Sequence, residues 1–239
     1  MTSGDTNHPA KRLEDDFQTQ VIANPTATAI LYQLPSDPCQ WSTMTYSDLN
    51  LWANTIASQI IVQVENSFSK EVPFVALCLS TGPHQLASIL GTLKSGHAYV
   101  PIDPTCSASR LNFILQDTAV RCVLTESKLM PSLNAIIDEG RLAGIRFILV
   151  DNLVDTLDDS LTVRLSESKP SPIAYMIYTS GSSGSLKLFL FGPMNLEIMR
   201  PDIFLCRMLF RAPKGRCRIS SGHSELSRAE QYCFASKEI

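Results

Sequence analysis

Apolar residues recur every three or four positions in some stretches of this chain and run unbroken in others, and the two patterns alternate. In "RLEDDFQTQVIAN", Leu13, Phe17 and Val21 stand four apart, which predicts one stripe of a helix that ends before Pro25. "TATAILYQL" reads as a short strand. In "TYSDLNLWANTIASQIIVQ", Thr45 stands three residues ahead of Asp48 as in a capping box, and Leu49, Ala53, Ile56 and Ile60 follow at helical spacing. "VPFVALCLS" is continuously apolar, as expected of a strand buried on both faces of a parallel sheet. Beyond the turn at "TGP", Leu86, Ile89, Leu90 and Leu93 predict a helix, with Gly96 where a helix C-terminus favours glycine.

The alternation continues. "HAYVPID" is extended, Pro104 breaks it, and "SRLNFILQD" places Leu111, Ile114 and Leu115 on one helical face. "RCVLT" predicts a strand, "PSLNAIIDE" a helix opened by Pro131, and "IRFILV" another strand. The polar, acidic segment from Asp151 to Pro172 reads as a long surface connection, and "IAYMIY" is the last clear strand. Strands and helices alternating at this pace predict an α/β fold with a largely parallel sheet and flanking helices. "LKLFLF" is expected to return antiparallel along "IAYMIY".

Composition narrows the class. A hydrophobic fraction of 44% and a charged fraction of 18% over 239 residues describe a globular protein. The net charge of -3 argues against a dedicated nucleic-acid binder. No segment approaches about 20 uninterrupted apolar residues, so no membrane-spanning helix is expected. The polar N-terminus lacks the apolar core of a secretory signal. The 7 cysteines are odd in number, form no CxxC pair and lie partly in apolar runs, which predicts free thiols in a reducing cytoplasm. Net charge is negative up to Lys187 and positive beyond it, where the strand–helix rhythm also stops. The expected boundaries are therefore a domain over residues 10–187 and an unrelated tail over 188–239. Arg211, Lys214, Arg216 and Arg218 in that tail read as a solvated run, being few and outside any binding fold.

One segment carries chemistry. "YTSGSSGSLK", Tyr178 to Lys187, follows a buried strand and holds two glycines, four serines, a threonine and a lysine. Glycines free the backbone to turn several N–H groups toward one anion, hydroxyls add donors, and Lys187 adds a mobile positive charge. A di- or triphosphate, rich in acceptor oxygens, suits that array. The spacing is neither a Walker A loop nor a GxGxxG turn. A Gly/Ser stretch also serves as a plain connector, but loops at the ends of buried strands are where α/β proteins place ligands.

"IAYMIYTSGSSGSLK" resembles the phosphate-loop motif YTSG(S/T)TGxPKG of the adenylate-forming enzymes, which include acyl-CoA synthetases, luciferases and the adenylation domains of nonribosomal peptide synthetases. Thr179, Ser180, Gly181, Ser182, Gly184 and Lys187 match, and Ser183 replaces a threonine but keeps its hydroxyl. "MTYSDLNLWANTIA" and "LKSGHAYVPIDPTCSASRLNFILQDTAVRCVLT" resemble two further family motifs, in the same order and in the version typical of amino-acid activation. The resemblance covers residues 13–187 and implies the N-terminal lobe of an adenylation domain. It implies ATP-dependent activation of an amino or other carboxylic acid as an acyl-adenylate in secondary metabolism, with ATP and Mg2+ as cofactors. It assigns Thr179, Ser180, Gly181, Ser182, Ser183, Gly184 and Lys187 to the nucleotide phosphates.

Other singled-out residues read as architecture: Arg110 ties the helix after "AYVPIDP", Asp103 caps, Trp52 packs, and His84 and His97 are structural. Asp158 and Asp159 read as a solvated pair. Leu186 and Leu188 stand where the family has proline and glycine, and no stretch resembles the later YGPTE or YRTGD motifs. The expectation is thus a truncated, inactive adenylation domain with no assigned catalytic or metal-binding residue. Two alternatives stand beside it: a remnant that binds ATP or pyrophosphate weakly, and a scaffold that associates with a synthetase or carrier protein. Neither nucleic acid nor membrane is an expected partner.

Overall fold

Phe17 and Val21 lie on the core side of the first described element, helix α1 (Leu13–Ala23), as their spacing requires. The protein was analysed as a computed structural model that describes residues 13–34, 37–65, 74–137, 144–156, 173–180 and 186–191, all within the unit Met1–Leu209. After α1, strand β1 (Thr28–Leu34) pairs antiparallel with β2 (Asp37–Thr45), matching Tyr32 with Ser42 and Thr28 with Thr45. Ile30 and Met44 are buried by this pairing. The sequence did not announce β2, because "DPCQWSTMT" contains a proline and mostly polar side chains. A hairpin needs only one apolar face, and the Pro/Ser/Asp cluster between the strands was its signal.

Helix α2 (Tyr46–Glu65) opens on the expected reciprocal cap. Asp48 N–H donates to Thr45 Oγ1 at 3.1 Å, and Thr45 N–H donates back to the Asp48 carboxylate at 3.3 Å. Strand β3 (Phe74–Cys78) leads to α3 (Pro83–Lys94), which ends at Ser95, followed by Gly96 with φ of 80°. That left-handed conformation is why glycine follows the helix. The chain continues through β4 (Ala98–Ile102), α4 (Ala108–Asp117), β5 (Cys122–Thr125), α5 (Met130–Ile137), β6 (Arg146–Leu149), β7 (Tyr175–Ser180) and β8 (Leu186–Phe191). The connection after β6 begins with a 3-10 helix, Val150–Thr156, within the segment expected to be irregular. Residues 157–172, with Asp158 and Asp159, and the cationic run Arg211–Arg218 lie outside the described residues.

The main sheet runs β6-β5-β3-β4-β7-β8, parallel throughout except for the antiparallel β7–β8 pair at one end. From β3 the chain steps one way to β4 and then back across to β5, so right-handed connections put α3 and α4 on opposite faces. The pleat divides the core accordingly. Val75, Leu77, Tyr99, Leu124 and Tyr175 face α1, α2 and α3, whereas Ala76, Cys78, Val100, Val123, Met176 and Tyr178 share a cluster with α4 and α5. Because β3 connects to one face and its neighbours β4 and β5 to the other, the chain parts at the carboxyl ends of these strands. Open α/β sheets bind ligands in such crevices.

Candidate functional site

Tyr175 pairs with Tyr99 of β4, and every residue from Tyr175 to Ser180 has a partner in β8. Thr179 lies opposite Lys187 and Ser180 opposite Leu186, so the ladder persists to the mouth of a five-residue connection, 181–185. The glycine- and serine-rich segment thus spans the end of β7 and the connection that leads to β8. Of the residues nominated from sequence, Thr179 and Ser180 end β7, and Lys187 lies across from Thr179. Gly181, Ser182, Ser183 and Gly184 lie outside the described residues.

The ground beneath this hairpin comes from the segment between β4 and β5. At the end of β4, the Asp103 carboxylate accepts from Thr105 N–H at 2.8 Å and Thr105 Oγ1 at 2.6 Å, turning the chain toward α4. Asp103 is exposed and makes this turn rather than capping helix α4 as expected. Ser107 N-caps α4 by accepting from Arg110 N–H at 3.3 Å. Arg110 then donates from Nη2 to the Tyr178 carbonyl at 3.3 Å, and the Tyr178 hydroxyl donates to Asp117 Oδ2 at 2.5 Å. Phe113 sets its ring edge-on to Tyr178, with centroids 6.1 Å apart. Burial, reinforced by the bond to Asp117 and its charge, raises the Tyr178 phenol above its ordinary range. The hydroxyl therefore remains a donor.

A second polar group lies at the carboxyl ends of β3 and β5. Glu126 accepts from Ser80 N–H at 3.1 Å, meets His84 Nδ1 at 3.1 Å and pairs with Lys128 Nζ at 3.2 Å. Burial pushes the Glu126 carboxyl up, but the bonds from Ser80, His84 and Lys128 outweigh it and hold the group below its ordinary value. His84 also stacks on Trp52, with centroids 5.1 Å apart. His97 meets Ser95 Oγ at 3.0 Å, and burial lowers its basicity. Both histidines have the structural settings expected of them. The partnership of Glu126 and Tyr178 with distant residues escaped sequence reasoning, since 46 residues separate Ser80 from Glu126 and 68 separate Arg110 from Tyr178.

Among the described residues, the thiols near this end of the sheet are held protonated by their surroundings. Burial, then the nearby Cys106, Asp103 and Glu126, push Cys78 up to about 12, and Cys78, Cys106 and Cys122 are unpaired. Among the described residues no group of three or more His, Cys, Asp or Glu side chains is placed to hold a metal ion. No helix among them is long and apolar enough to cross a membrane.

Comparison with known proteins agrees with this geometry. The model of the family described as AMP-binding enzyme matches residues 17–191. N-(5-amino-5-carboxypentanoyl)-L-cysteinyl-D-valine synthase of Penicillium rubens is 31% identical over 205 residues, which covers 82% of this chain and 5% of that protein. A dimodular nonribosomal peptide synthase of Bacillus subtilis is 32% identical over 175 residues, 73% of this chain and 7% of that protein. Among solved structures, the nonribosomal peptide synthetase FmoA3 in its alpha-methyl-L-serine-AMP bound form superposes with a TM-score of 0.60 at 25% identity. That match covers 83% of this chain and 20% of the other. The chain therefore spans a small fraction of the length of the relatives it matches. The parallel sheet, its two helical layers and the relatives of nonribosomal synthetase type place it in the N-terminal lobe of the adenylate-forming fold: this chain belongs to the AMP-binding enzyme family.

Proposed function

We propose that the β7–β8 hairpin is a nucleotide phosphate-binding loop, in which Thr179, Ser180, Gly181, Ser182, Ser183 and Gly184 supply N–H and hydroxyl donors and Lys187 supplies charge. The reaction it serves is ATP-dependent activation of an amino or other carboxylic acid. A carboxylate oxygen bonds to the α-phosphorus of ATP, the bond to the β-phosphate oxygen breaks, and pyrophosphate leaves with the electron pair. Donors fixed around the β- and γ-phosphates orient the nucleotide and stabilise the charge that develops on the leaving group. Magnesium bound with the nucleotide would offset phosphate charge in such phosphoryl chemistry. We assign it no ligand among the described residues.

One observation carries this reading. A donor-rich segment that resembles the family's phosphate loop falls at the carboxyl end of β7, inside the family match over residues 17–191. The relatives of nonribosomal synthetase type favour an amino acid as substrate and a carrier protein or larger synthetase as partner. ATP supply and free thiols favour the cytoplasm. Segments resembling YGPTE and YRTGD are missing from these 239 residues, so we expect no carboxylate-dependent exchange of pyrophosphate into ATP above background from this chain alone.

Calorimetric titration of ATP and of pyrophosphate into the purified chain tests the reading. Saturable binding is expected, weakened about tenfold or more by Lys187→Ala, on the scale of one charged hydrogen bond. A folded chain that binds neither ligand at millimolar concentration overturns it.

A further inference from the structure

We infer that helix α4 is the positioning device of the phosphate loop, acting through a three-residue clamp on Tyr178. Arg110, Phe113 and Asp117 occur at i, i+3 and i+7 and so form one stripe along α4. Each engages a different part of Tyr178: Arg110 its carbonyl, Phe113 its ring and Asp117 its hydroxyl. Tyr178 lies three residues beyond Tyr175, the residue of β7 that pairs with Tyr99 of β4. Arg110 thus engages a β7 carbonyl beyond that pairing with the neighbouring parallel strand. The next residue is Thr179, the first of the nominated phosphate-binding residues.

Residues 181–185 comprise two glycines and three serines, and ordering glycine-rich sequence around an anion costs conformational entropy. Anchoring Tyr178, three residues ahead of that segment, in three places lowers that cost, since the direction of departure is set before the ligand arrives. A guanidinium bonded to a carbonyl makes a charge-assisted hydrogen bond. The "AYVPIDP" segment and α4 thereby gain a purpose beyond packing: the Asp103 turn and the Ser107 cap set α4 where its stripe meets Tyr178.

As a contribution to nucleotide binding, the clamp rests on the phosphate-loop reading above, so the test reads the two separately. Amide hydrogen exchange of Thr179–Leu188 is measured in the ligand-free chain for wild type, Tyr178→Phe, Arg110→Gln and Arg110→Lys. Pyrophosphate affinity is measured alongside. The expected result is exchange at the hairpin at least about threefold faster in Tyr178→Phe and Arg110→Gln, the scale of one lost hydrogen bond. Arg110→Lys should restore part of the protection, and amides of β5 and β6 on the far side of the sheet should keep theirs. Pyrophosphate affinity should fall in parallel. Equal loss of protection at β5 and β6, or unchanged exchange at the hairpin, overturns the clamp by showing a general packing role or none. Lys187→Ala should weaken pyrophosphate binding without altering ligand-free exchange. If wild type binds no pyrophosphate yet the hairpin loosens in the variants, the clamp stands and the phosphate reading falls.

Discussion

Lys94 closes α3, and its ammonium donates to Gln18 Oε1 at 3.1 Å, to Asn54 Oδ1 at 2.7 Å and to Asn50 Oδ1, and sits over the Phe17 ring. Burial lowers its pKa to about 8 from 10.5, against the pull of Glu14. Between those values the unfolded chain holds more protons than the folded one, so stability rises with pH across that window and bears the full burial cost below it. Unfolding free energies from urea titrations at pH 8 to pH 10 should therefore climb in wild type relative to Lys94→Met, by up to about 2 kcal/mol. Parallel pH dependences of the two proteins would contradict this. Thiols follow the same logic. Burial pushes Cys122, like Cys78, up to about 12, whereas Cys39 is exposed. Brief alkylation of the native protein at pH 8, read by peptide mapping, should label Cys39 and spare Cys78 and Cys122. At this scale residue type is legible in the chain but environment is not: "LKSG" does not disclose that its lysine meets Gln18, 76 positions earlier.

Elements were the most legible level, because helical and strand periodicity are written in windows of ten or so residues. The Thr45–Asp48 cap, the helix stripes, the Gly96 stop and the return of "LKLFLF" along β7 all follow from local chemistry. Strand β2 escaped because its proline and mostly polar side chains hide the one face that Met44 buries. How closely two helices meet was also hidden. A Cβ placed on Gly91 of α3 would stand 2.8 Å from the Ala53 carbonyl oxygen and 2.9 Å from Ile56 Cγ2 of α2. A backbone oxygen cannot yield cheaply, so Gly91→Ala should lower stability by about 1–3 kcal/mol despite its better helix propensity. Chemical denaturation would detect the loss, and an unchanged or raised midpoint would show that α2 and α3 can separate without cost.

For the molecule as a whole, strand order decides what the motifs become. The order β6-β5-β3-β4-β7-β8 seats β7 beside β4, and α4 follows β4 on the face where Tyr178 lies. Two sequence motifs about 70 residues apart thus become a loop and its support, which is why single changes in α4 are expected to be felt at the hairpin. The same order gathers Ser80, His84 and Glu126 at the ends of β3 and β5. By itself, the sequence determined the alternation of elements, the parallel class of sheet, the family and the nominated loop, because each is encoded in short-range patterning or in a motif. Tertiary structure alone decided which distant side chains meet: Arg110 and Asp117 at Tyr178, Glu126 at Ser80, Lys94 at Gln18. Such encounters depend on which strands become neighbours and which face each crossover takes, and chain entropy leaves those choices to the packing of the whole core.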